Sequence, residues 1–305
     1  MLRPLLQHLD DDPQAITLQR DGGRAFVSQS LRPYLVAALA EAGEGPMLVV
    51  AGDDRPARAL AADLRAWLAP RPVRFYPSRG VTYESHLAPP PHLVGLRVAA
   101  LDALMDPPAD SEPPVVVVSA VALSEKVPDP ELRPHGFRIA KGDLLDLEET
   151  AQRLAGMGYE RVDQVEDRGQ FAIRGELLDL FPATSDRAVR VDLFDIEVES
   201  LREFSTFTQR SFGDLDEVEI APAAELAQEQ RELAEMAASD DEAERPDIAD
   251  VLPVDRFREL LDLAPEGARL VVAADEELEP ALRDHWQDVC AAFHDTDAHH
   301  LYVKP

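Results

Sequence analysis

The sequence predicts an α/β protein in which a split parallel-sheet domain accommodates an inserted α+β domain with an antiparallel sheet. Three observations lead to this fold class. Strand and helix patterns alternate in the first part of the chain, closely spaced strand patterns fill the middle, and a lone strand pattern returns near the end. The 305 residues also exceed a usual domain of roughly 100–200 residues, so we expect more than one packed unit.

Residues 1–127 form the first half of the α/β domain in this prediction. The apolar run Met47–Ala51 ends at Gly52 and is typical of a strand buried on both faces. The patterns that follow alternate between helix and strand. They span residues 56–68 (helix), 73–76 (strand), 93–105 (helix) and 115–118 (strand). This alternation predicts a parallel sheet.

In residues 128–222, which form the predicted insertion, the sequence pattern changes from alternating helices and strands to closely spaced strands. An amphipathic helix pattern over residues 145–157 precedes strand patterns with little helix between them. The strand patterns span residues 161–166, 171–181, 189–199 and 217–220. Gly169 and the turn residues 182–187 separate successive strands. A single helix with such strands indicates an antiparallel α+β domain.

Residues 223–305 return to mixed helix and strand. We expect a helix at 223–238, an acidic loop at 239–250, a short helix at 256–263, a strand at 269–274 and a helix at 276–293. A lone strand needs a sheet to join, because its backbone groups must be paired. The simplest arrangement returns it to the sheet of residues 1–127, which makes residues 128–222 an insertion.

Composition limits the classes of function. The net charge is -29, from 30 basic and 59 acidic residues, which argues against a broad nucleic-acid-binding surface. The lysines are Lys126, Lys141 and Lys304, and none has the glycine-rich turn and following Ser or Thr of a Walker-type phosphate loop. Gly22 and Gly23, ahead of a helix from about residue 30, therefore fit a plain turn better than a phosphate site. ATP hydrolysis by a phosphate loop in this chain is excluded.

No pattern marks a catalytic or metal site. A cluster of histidines and aspartates near the C-terminus has a spacing that fits no closed zinc site, and a polar chain end explains it equally well. Its members are His294, Asp295, Asp297, His299 and His300. The single cysteine, Cys290, excludes an internal disulfide, suits a reducing cytosol and is expected to be a buried apolar residue. The longest apolar stretch is far below the ~20 residues of a membrane span. We therefore expect a cytoplasmic protein without membrane contact, metal or cofactor.

Five consecutive motifs carry a resemblance to a known family. They are residues 158–165 (GYERVDQV), 168–175 (RGQFAIRG), 177–182 (LLDLFP), 189–195 (VRVDLFD) and 207–210 (FTQR). This series resembles the small inserted domain shared by UvrB and the bacterial transcription-repair coupling factor Mfd. Residues 77–84 and 91–97 resemble the coupling factor, whereas the phosphate loop of UvrB and its aromatic DNA-clamping hairpin after the strand at residue 115 are missing. The resemblance covers nearly the whole chain.

The resemblance implies the N-terminal UvrB-homology module of a coupling factor, with a degenerate P-loop NTPase-like α/β domain. Such a module has no ATPase activity of its own and recruits UvrA to stalled transcription complexes in transcription-coupled nucleotide excision repair. The resemblance also implies that RNA polymerase and duplex DNA are partners of the full-length protein. Its polymerase-binding domain and ATP-driven motor would lie C-terminal to the region represented here.

The UvrA-contacting residues of the family correspond by motif to Arg174, Arg190 and Phe194. We expect residues 171–181 and 189–199 to form a hairpin with one buried alternating face. That face would hold Ile173, Leu177, Val189, Val191 and Leu193. Arg174, Arg190 and Phe194 would then share the opposite face, where two arginines beside an exposed aromatic favour an interface hot spot. The alternative is that Arg190 pairs with a neighbouring aspartate and Phe194 caps a minor core.

Two other functions stay open at this point. A UvrB-like DNA-loading protein is disfavoured by the missing phosphate loop, the missing hairpin and the acidity of the chain. An unrelated metal-dependent hydrolase would need converging carboxylates, and no motif marks them.

Overall fold

The computed structural model describes residues 2–9, 11–83, 88–107, 111–228, 253–274, 278–292 and 298–305. The chain is a mixed α/β protein with a parallel sheet and antiparallel sheets, which confirms the predicted fold class at that level. It divides into two compact units. The first comprises Met1–Ser78, Ala100–Val127 and Arg258–Pro305, and the second comprises Arg79–Ala99 and Pro128–Phe257. Among the helices of these described stretches, none is long and apolar enough to cross a membrane.

Strands and helices follow each other along the described chain. The strands are β1 (Met47–Ala51), β2 (Val73–Tyr76), β3 (Val115–Ser119), β4 (Val127–Pro128), β5 (Phe137–Ala140), β6 (Glu160–Arg161), β7 (Gln170–Arg174), β8 (Leu177–Leu180), β9 (Ala188–Phe194), β10 (Glu197–Phe204), β11 (Ser211–Leu215), β12 (Glu217–Ile220), β13 (Phe257–Arg258) and β14 (Arg269–Val272). The α-helices are α1 (Pro13–Asp21), α2 (Arg32–Glu41), α3 (Asp54–Leu68), α4 (Pro91–Met105), α5 (Ala120–Ser124), α6 (Leu147–Gly156), α7 (Leu278–Ala292) and α8 (Ala298–Leu301). Short 3-10 helices span Arg3–Leu9, Pro130–Leu132, Val254–Arg256 and Leu260–Leu263.

A four-stranded parallel sheet in the order β14-β1-β3-β2 organises the first unit. All residues of β1 and β3 are buried, as expected of apolar strands covered on both faces. β1 pairs in register with both β3 and β14, so that Met47 lies beside Val115 and Arg269. The predicted return of the late strand to the sheet of residues 1–127 is therefore confirmed.

Arg71 joins three segments at the amino end of this sheet. Its guanidinium donates hydrogen bonds to the carbonyl oxygens of Ala40 (2.5 Å), Gly45 (3.1 Å) and Pro113 (2.7 Å). These carbonyls belong to the end of α2, the loop before β1 and the loop before β3. The residue is 5% exposed, and burial lowers the pKa of its guanidinium. One side chain thus hydrogen-bonds to three backbone segments, and of the three carbonyls only that of Ala40 also accepts from the Gly43 amide (3.0 Å) among the hydrogen bonds described.

A six-stranded sheet in the order β11-β10-β9-β8-β7-β6 organises the second unit. Its neighbouring strands are antiparallel except for β6 and β7, as predicted for this region. The helix predicted over residues 145–157 is observed as α6, with Asp146 as its N-cap. One face of the sheet packs against α6. The core there includes Ala151, Leu154, Leu178, Val191 and Leu201.

Three strand predictions are wrong in their extent. Residues 171–181 form two strands, β7 and β8, around a turn in which Gly175 has a φ of 63°. Residues 189–199 likewise span β9 and the start of β10, with a turn at Asp195 (φ 59°). The strand predicted over residues 161–166 is limited to β6. Tight hairpins need a positive φ, and a single Gly or Asp inside an apolar alternation is a weak turn signal.

The predictions for the last segment are partly wrong. The helix predicted over residues 223–238 and the loop at 239–250 lie mostly outside the described residues, and residues 223–227 are not helical. The amides of Ala223 and Ala224 instead donate to the Met157 carbonyl at 2.9 and 3.0 Å. The helix predicted over 256–263 is replaced by 3-10 helices on either side of β13.

A buried carboxylate binds two arginines within the second unit. Glu225 is 8% exposed and accepts hydrogen bonds from Nε of Arg79 (2.7 Å) and Nε of Arg97 (2.5 Å). Burial by itself raises the pKa of the Glu225 carboxyl, but the charges and hydrogen bonds of both arginines outweigh it and lower the pKa to about 2. The arginines precede Glu225 by 146 and 128 residues, so this cluster joins distant segments of the chain.

Candidate docking face

The strand register brings Arg174, Arg190 and Phe194 onto one face of the six-stranded sheet. Arg174 lies opposite Leu177 across the β7–β8 hairpin, and Leu177 lies opposite Asp192 of β9. Residues directly opposite each other share a face, as do alternate residues along one strand. Asp192 therefore stands between Arg190 and Phe194 on the same side as Arg174. We refer to this side as the arginine face.

The other face is the buried one, with one correction. Val189, Val191 and Leu193 are at most 5% exposed, and Ile173 packs half-buried against the same core, as predicted. The prediction for Leu177 is wrong, because the two-residue turn at 175–176 sets it opposite Arg174. An unbroken alternation would have placed Ile173 and Leu177 together, and the turn removes that continuity.

Both arginines bind one buried carboxylate, that of Asp179, which is 1% exposed. Arg190 donates twice, from Nε to Oδ1 (2.6 Å) and from Nη2 to Oδ2 (2.8 Å), while Arg174 donates to Oδ2. The hydrogen bond to Asp179 raises the pKa of the Arg190 guanidinium. A two-point contact between a planar guanidinium and a carboxylate also fixes its orientation. With two cations on one carboxylate, the cluster keeps one positive charge.

Phe194 is the exposed aromatic of the arginine face, with 74% of its surface accessible. It ends β9 just before the turn at Asp195. The alternative interpretation is therefore half right: Arg190 does pair with an aspartate, but Phe194 caps no core. The Arg174 side chain is 46% exposed and that of Arg190 16%, so both the ring and Arg174 are accessible to a partner.

A second ion pair completes the arginine face. Arg202 lies opposite Arg190 on β10 and donates to Asp192, which also accepts from the Ser200 hydroxyl (2.8 Å). Together with the Asp179 cluster, these charged groups comprise three arginines and two aspartates. In a chain of net charge -29, they form a local positive excess.

The carboxyl end of the parallel sheet holds an aspartate whose role the sequence alone does not reveal. Asp54, at the start of α3, accepts hydrogen bonds from the Ser78 amide (3.0 Å), the Ser78 hydroxyl (2.6 Å) and the Ser119 hydroxyl (2.6 Å). This is the edge of the sheet where α/β nucleotide-binding proteins hold phosphate, and a carboxylate there opposes phosphate binding. Gly22 caps the C-terminal end of α1 with a φ of 71°, and Gly23 follows with a φ of 136° in a segment that is neither helix nor turn, so the predicted plain turn is not observed there.

The remaining candidates give no site. His294, Asp295 and Asp297 lie outside the described residues, and of His299 only the backbone is described. Within the described parts of the chain, no three His, Cys, Asp or Glu side chains group in a way that could hold a metal ion. The prediction that Cys290 is buried is wrong, since it is exposed. Val289 is the buried position of α7, and the next residue points about 100° away from it.

Known proteins are similar to part of the second unit and also to most of the whole chain. Residues 137–226 match the family described as the UvrB interaction domain. The transcription-repair-coupling factor of Myxococcus xanthus is 34% identical over 277 residues, which are 87% of this chain and 22% of that protein. Those of Bacillus subtilis and Escherichia coli are 32% and 31% identical over 66% and 63% of this chain, and 17% and 16% of their own length. The chain thus spans about a fifth of the length of the curated relatives it matches. On this similarity, the chain is an N-terminal module of the transcription-repair-coupling factors, with a UvrB interaction domain over residues 137–226.

Proposed function

We propose that this chain is a docking module that recruits UvrA to stalled transcription complexes in transcription-coupled nucleotide excision repair. The observation that carries the proposal is the arginine face, where the buried Asp179 orients two arginines on the same side of the sheet as the exposed Phe194. All these residues lie within the stretch that matches the UvrB interaction domain. The motif correspondence of Arg174, Arg190 and Phe194 supports UvrA as the partner.

The arginine face has the composition of an interface hot spot. Arginine and aromatic side chains carry much of the binding energy of protein interfaces. Asp179 orients both guanidiniums before any partner binds, so less side-chain entropy is lost on association. The local positive excess favours an acidic partner surface and speeds the encounter with it.

The proposal assigns neither ATPase activity nor a cofactor to this chain. The first unit would be a degenerate P-loop NTPase-like domain, split in sequence by the inserted one. None of its lysines lies in a phosphate loop, and the Asp54 carboxylate lies where phosphate would bind. The full-length coupling factor would have further partners, which this module or other regions would contact. They would be RNA polymerase, duplex DNA and the C-terminal motor. The protein would act in the cytoplasm.

Phe194→Ala is expected to weaken UvrA binding by about tenfold to a hundredfold, the range of an interface hot spot. The ring is 74% exposed, so its removal should change the free energy of unfolding by less than about 0.5 kcal/mol. Isothermal titration of the purified chain with UvrA measures the first effect, and thermal denaturation measures the second.

Phe26→Ala is the matched control, because Phe26 belongs to the first unit and is 98% exposed. This variant should bind UvrA as the wild type does. Equal affinities of Phe194→Ala and the wild type would contradict the assignment. Tight binding of duplex DNA together with no binding of UvrA would instead support a DNA-loading function.

Arg190→Glu is expected to abolish UvrA binding and also to lower the stability of the chain by about 1–3 kcal/mol. The new carboxylate would face the buried Asp179, which would keep only Arg174 as its partner. Arg187→Glu is the control, since the Arg187 side chain is 55% exposed and lies 3.8 Å from Glu203. Thermal denaturation of both variants should show the larger loss for Arg190→Glu, and equal midpoints would show that Asp179 does not depend on Arg190.

A further inference from the structure

The turn between β10 and β11 holds Phe207 almost fully exposed, at 95%. Hydrogen bonds within residues 205–210 fix the backbone of this turn. The Ser205 amide donates to the Arg210 carbonyl (3.0 Å), and the Gln209 amide donates to the Ser205 carbonyl (2.7 Å). The Gln209 side-chain amide also donates to the Thr206 carbonyl (2.6 Å). Phe207 is therefore carried by an ordered turn although its ring contacts little of the protein.

This turn continues the arginine face. Arg190 donates from Nη1 to the Gln209 carbonyl (3.4 Å), and its guanidinium carbon lies 4.8 Å from the ring centroid of Phe204, where β10 ends. Phe204 pairs with Ala188 at the start of β9, whereas Phe194 ends β9. At about 3.3 Å per residue, the two ends of β9 are roughly 20 Å apart. Arg190 thus lies between an exposed ring at one end and a turn with an exposed ring at the other.

We propose that Phe207 is a second apolar anchor of the arginine face, so that the partner is bound by an aromatic ring at each end with the arginine cluster between them. This inference rests on the docking function proposed above and adds the chemistry of the partner surface. That surface is acidic at its centre and has an apolar pocket on either side.

The exposure of Phe207 favours a role in binding over a role in folding. A ring that is 95% exposed buries almost no surface in the folded chain, so the fold gains little from it. In an interface, a phenyl ring can bury on the order of 150–250 Å². The turn is already ordered, so little conformational entropy is lost when the ring is buried by a partner.

The charges near the turn favour a protein partner over a nucleic acid. Asp192 lies on the arginine face with its side chain 18% exposed, and Glu203, with its side chain 31% exposed, lies two residues before the turn. Phosphates of a nucleic acid would meet these carboxylates as well as the arginines, which weakens backbone binding. A protein surface can place its carboxylates against Arg174 and Arg190 alone.

The test is a titration of UvrA with the wild type, Phe207→Ala, Phe194→Ala and the double variant. Phe207→Ala is expected to weaken binding about tenfold without moving the thermal midpoint. Phe194 ends β9, whereas Phe207 lies in the turn after Phe204, which pairs with the start of β9. Because the two rings are on well-separated parts of the sheet, the double variant should show the product of the two single losses. Phe26→Ala again serves as the control for loss of an exposed ring outside this face.

The outcomes separate this inference from the docking function. If Phe194→Ala weakens binding and Phe207→Ala does not, Phe207 is not an anchor and the docking function stands. If the wild type does not bind UvrA, the docking function fails and the inference fails with it. If the wild type binds a single-stranded oligonucleotide and Phe207→Ala loses that binding, the ring belongs to a nucleic-acid site and the inference is overturned.

Discussion

Glu225→Gln should lower the free energy of unfolding of the second unit by about 3–5 kcal/mol at neutral pH, the range found when one partner of a buried ion pair is removed. Glu225 is 8% exposed and lies between Arg79 and Arg97, whose side chains are 9% and 1% exposed. The amide of Gln matches the shape of the carboxyl group but supplies no negative charge. Both buried guanidiniums then lose the carboxylate to which each donates a hydrogen bond.

The same carboxylate makes the stability of the second unit depend on pH. The pKa of Glu225 is about 2 in the folded chain, against an ordinary value of 4.5. Because the pKa is lower in the folded chain, the ionised Glu225 carboxylate stabilises the fold fully above pH ~4.5. This stabilisation is lost as the pH falls towards ~2 and the carboxylate is protonated. The wild type should therefore lose stability over this acid range, and Glu225→Gln should lose less of it.

Hydrogen exchange of the β8 and β9 amides measures the stability of the second unit, to which these strands and the Glu225 cluster belong. Glu217→Gln is the matched control, since Glu217 pairs with Arg138 on the surface with side chains 51% and 58% exposed. An exposed pair of this kind contributes about 0–1 kcal/mol. Equal protection factors in the two variants would show that burial of the Glu225 cluster adds nothing to stability.

The parallel sheet of the first unit could be predicted because its strands are buried on both faces. The sequences of β1 and β3 are apolar runs, and such a run predicts a strand buried on both faces whatever elements pack against it. β14 could be assigned to the same sheet because a lone strand must find a partner. Its pattern was recognisable even though Leu270 and Val272 at this sheet edge are half exposed.

The hairpins of the second unit were harder to predict because their turns are short. Gly175 and Asp195 each stand in a run that continues to alternate on either side. The alternation therefore looked like one strand where there are two, and only the paired register reveals which residue faces which. Interpreting residues 171–181 as one strand predicts the wrong face for Leu177, which follows the turn. The prediction for Arg174 is correct, because Arg174 precedes the turn.

The arginine face could be predicted only in part. Arg174, Arg190 and Phe194 were found through motif resemblance and strand alternation. Asp179 was not found, because nothing local in a sequence separates a buried aspartate from an exposed one. Its burial depends on the pairing of β8 with β9 and on the two arginines that this pairing supplies. The same holds for Asp54, whose partners are Ser78, just after β2, and Ser119, at the end of β3.

Arg71→Met is expected to lower the free energy of unfolding of the first unit by about 2–6 kcal/mol. The carbonyl oxygens of Gly45 and Pro113 lose this donor when the guanidinium is removed, whereas the Ala40 carbonyl keeps the Gly43 amide (3.0 Å). Each buried acceptor left without a partner costs about 1–3 kcal/mol, and a Met side chain fills much of the volume but donates nothing. Urea denaturation followed by tryptophan fluorescence reports on this unit, because Trp67 and Trp286 both lie in it.

Arg74→Met is the control for loss of an arginine from the same sheet, because Arg74 is the exposed residue of β2. A surface substitution of this kind should change stability by no more than about 0.5 kcal/mol. If Arg71→Met were no worse than Arg74→Met, water or the backbone would satisfy the three carbonyls without the guanidinium. A large difference between the two would instead show that one buried arginine holds the loops before β1 and β3 against the end of α2.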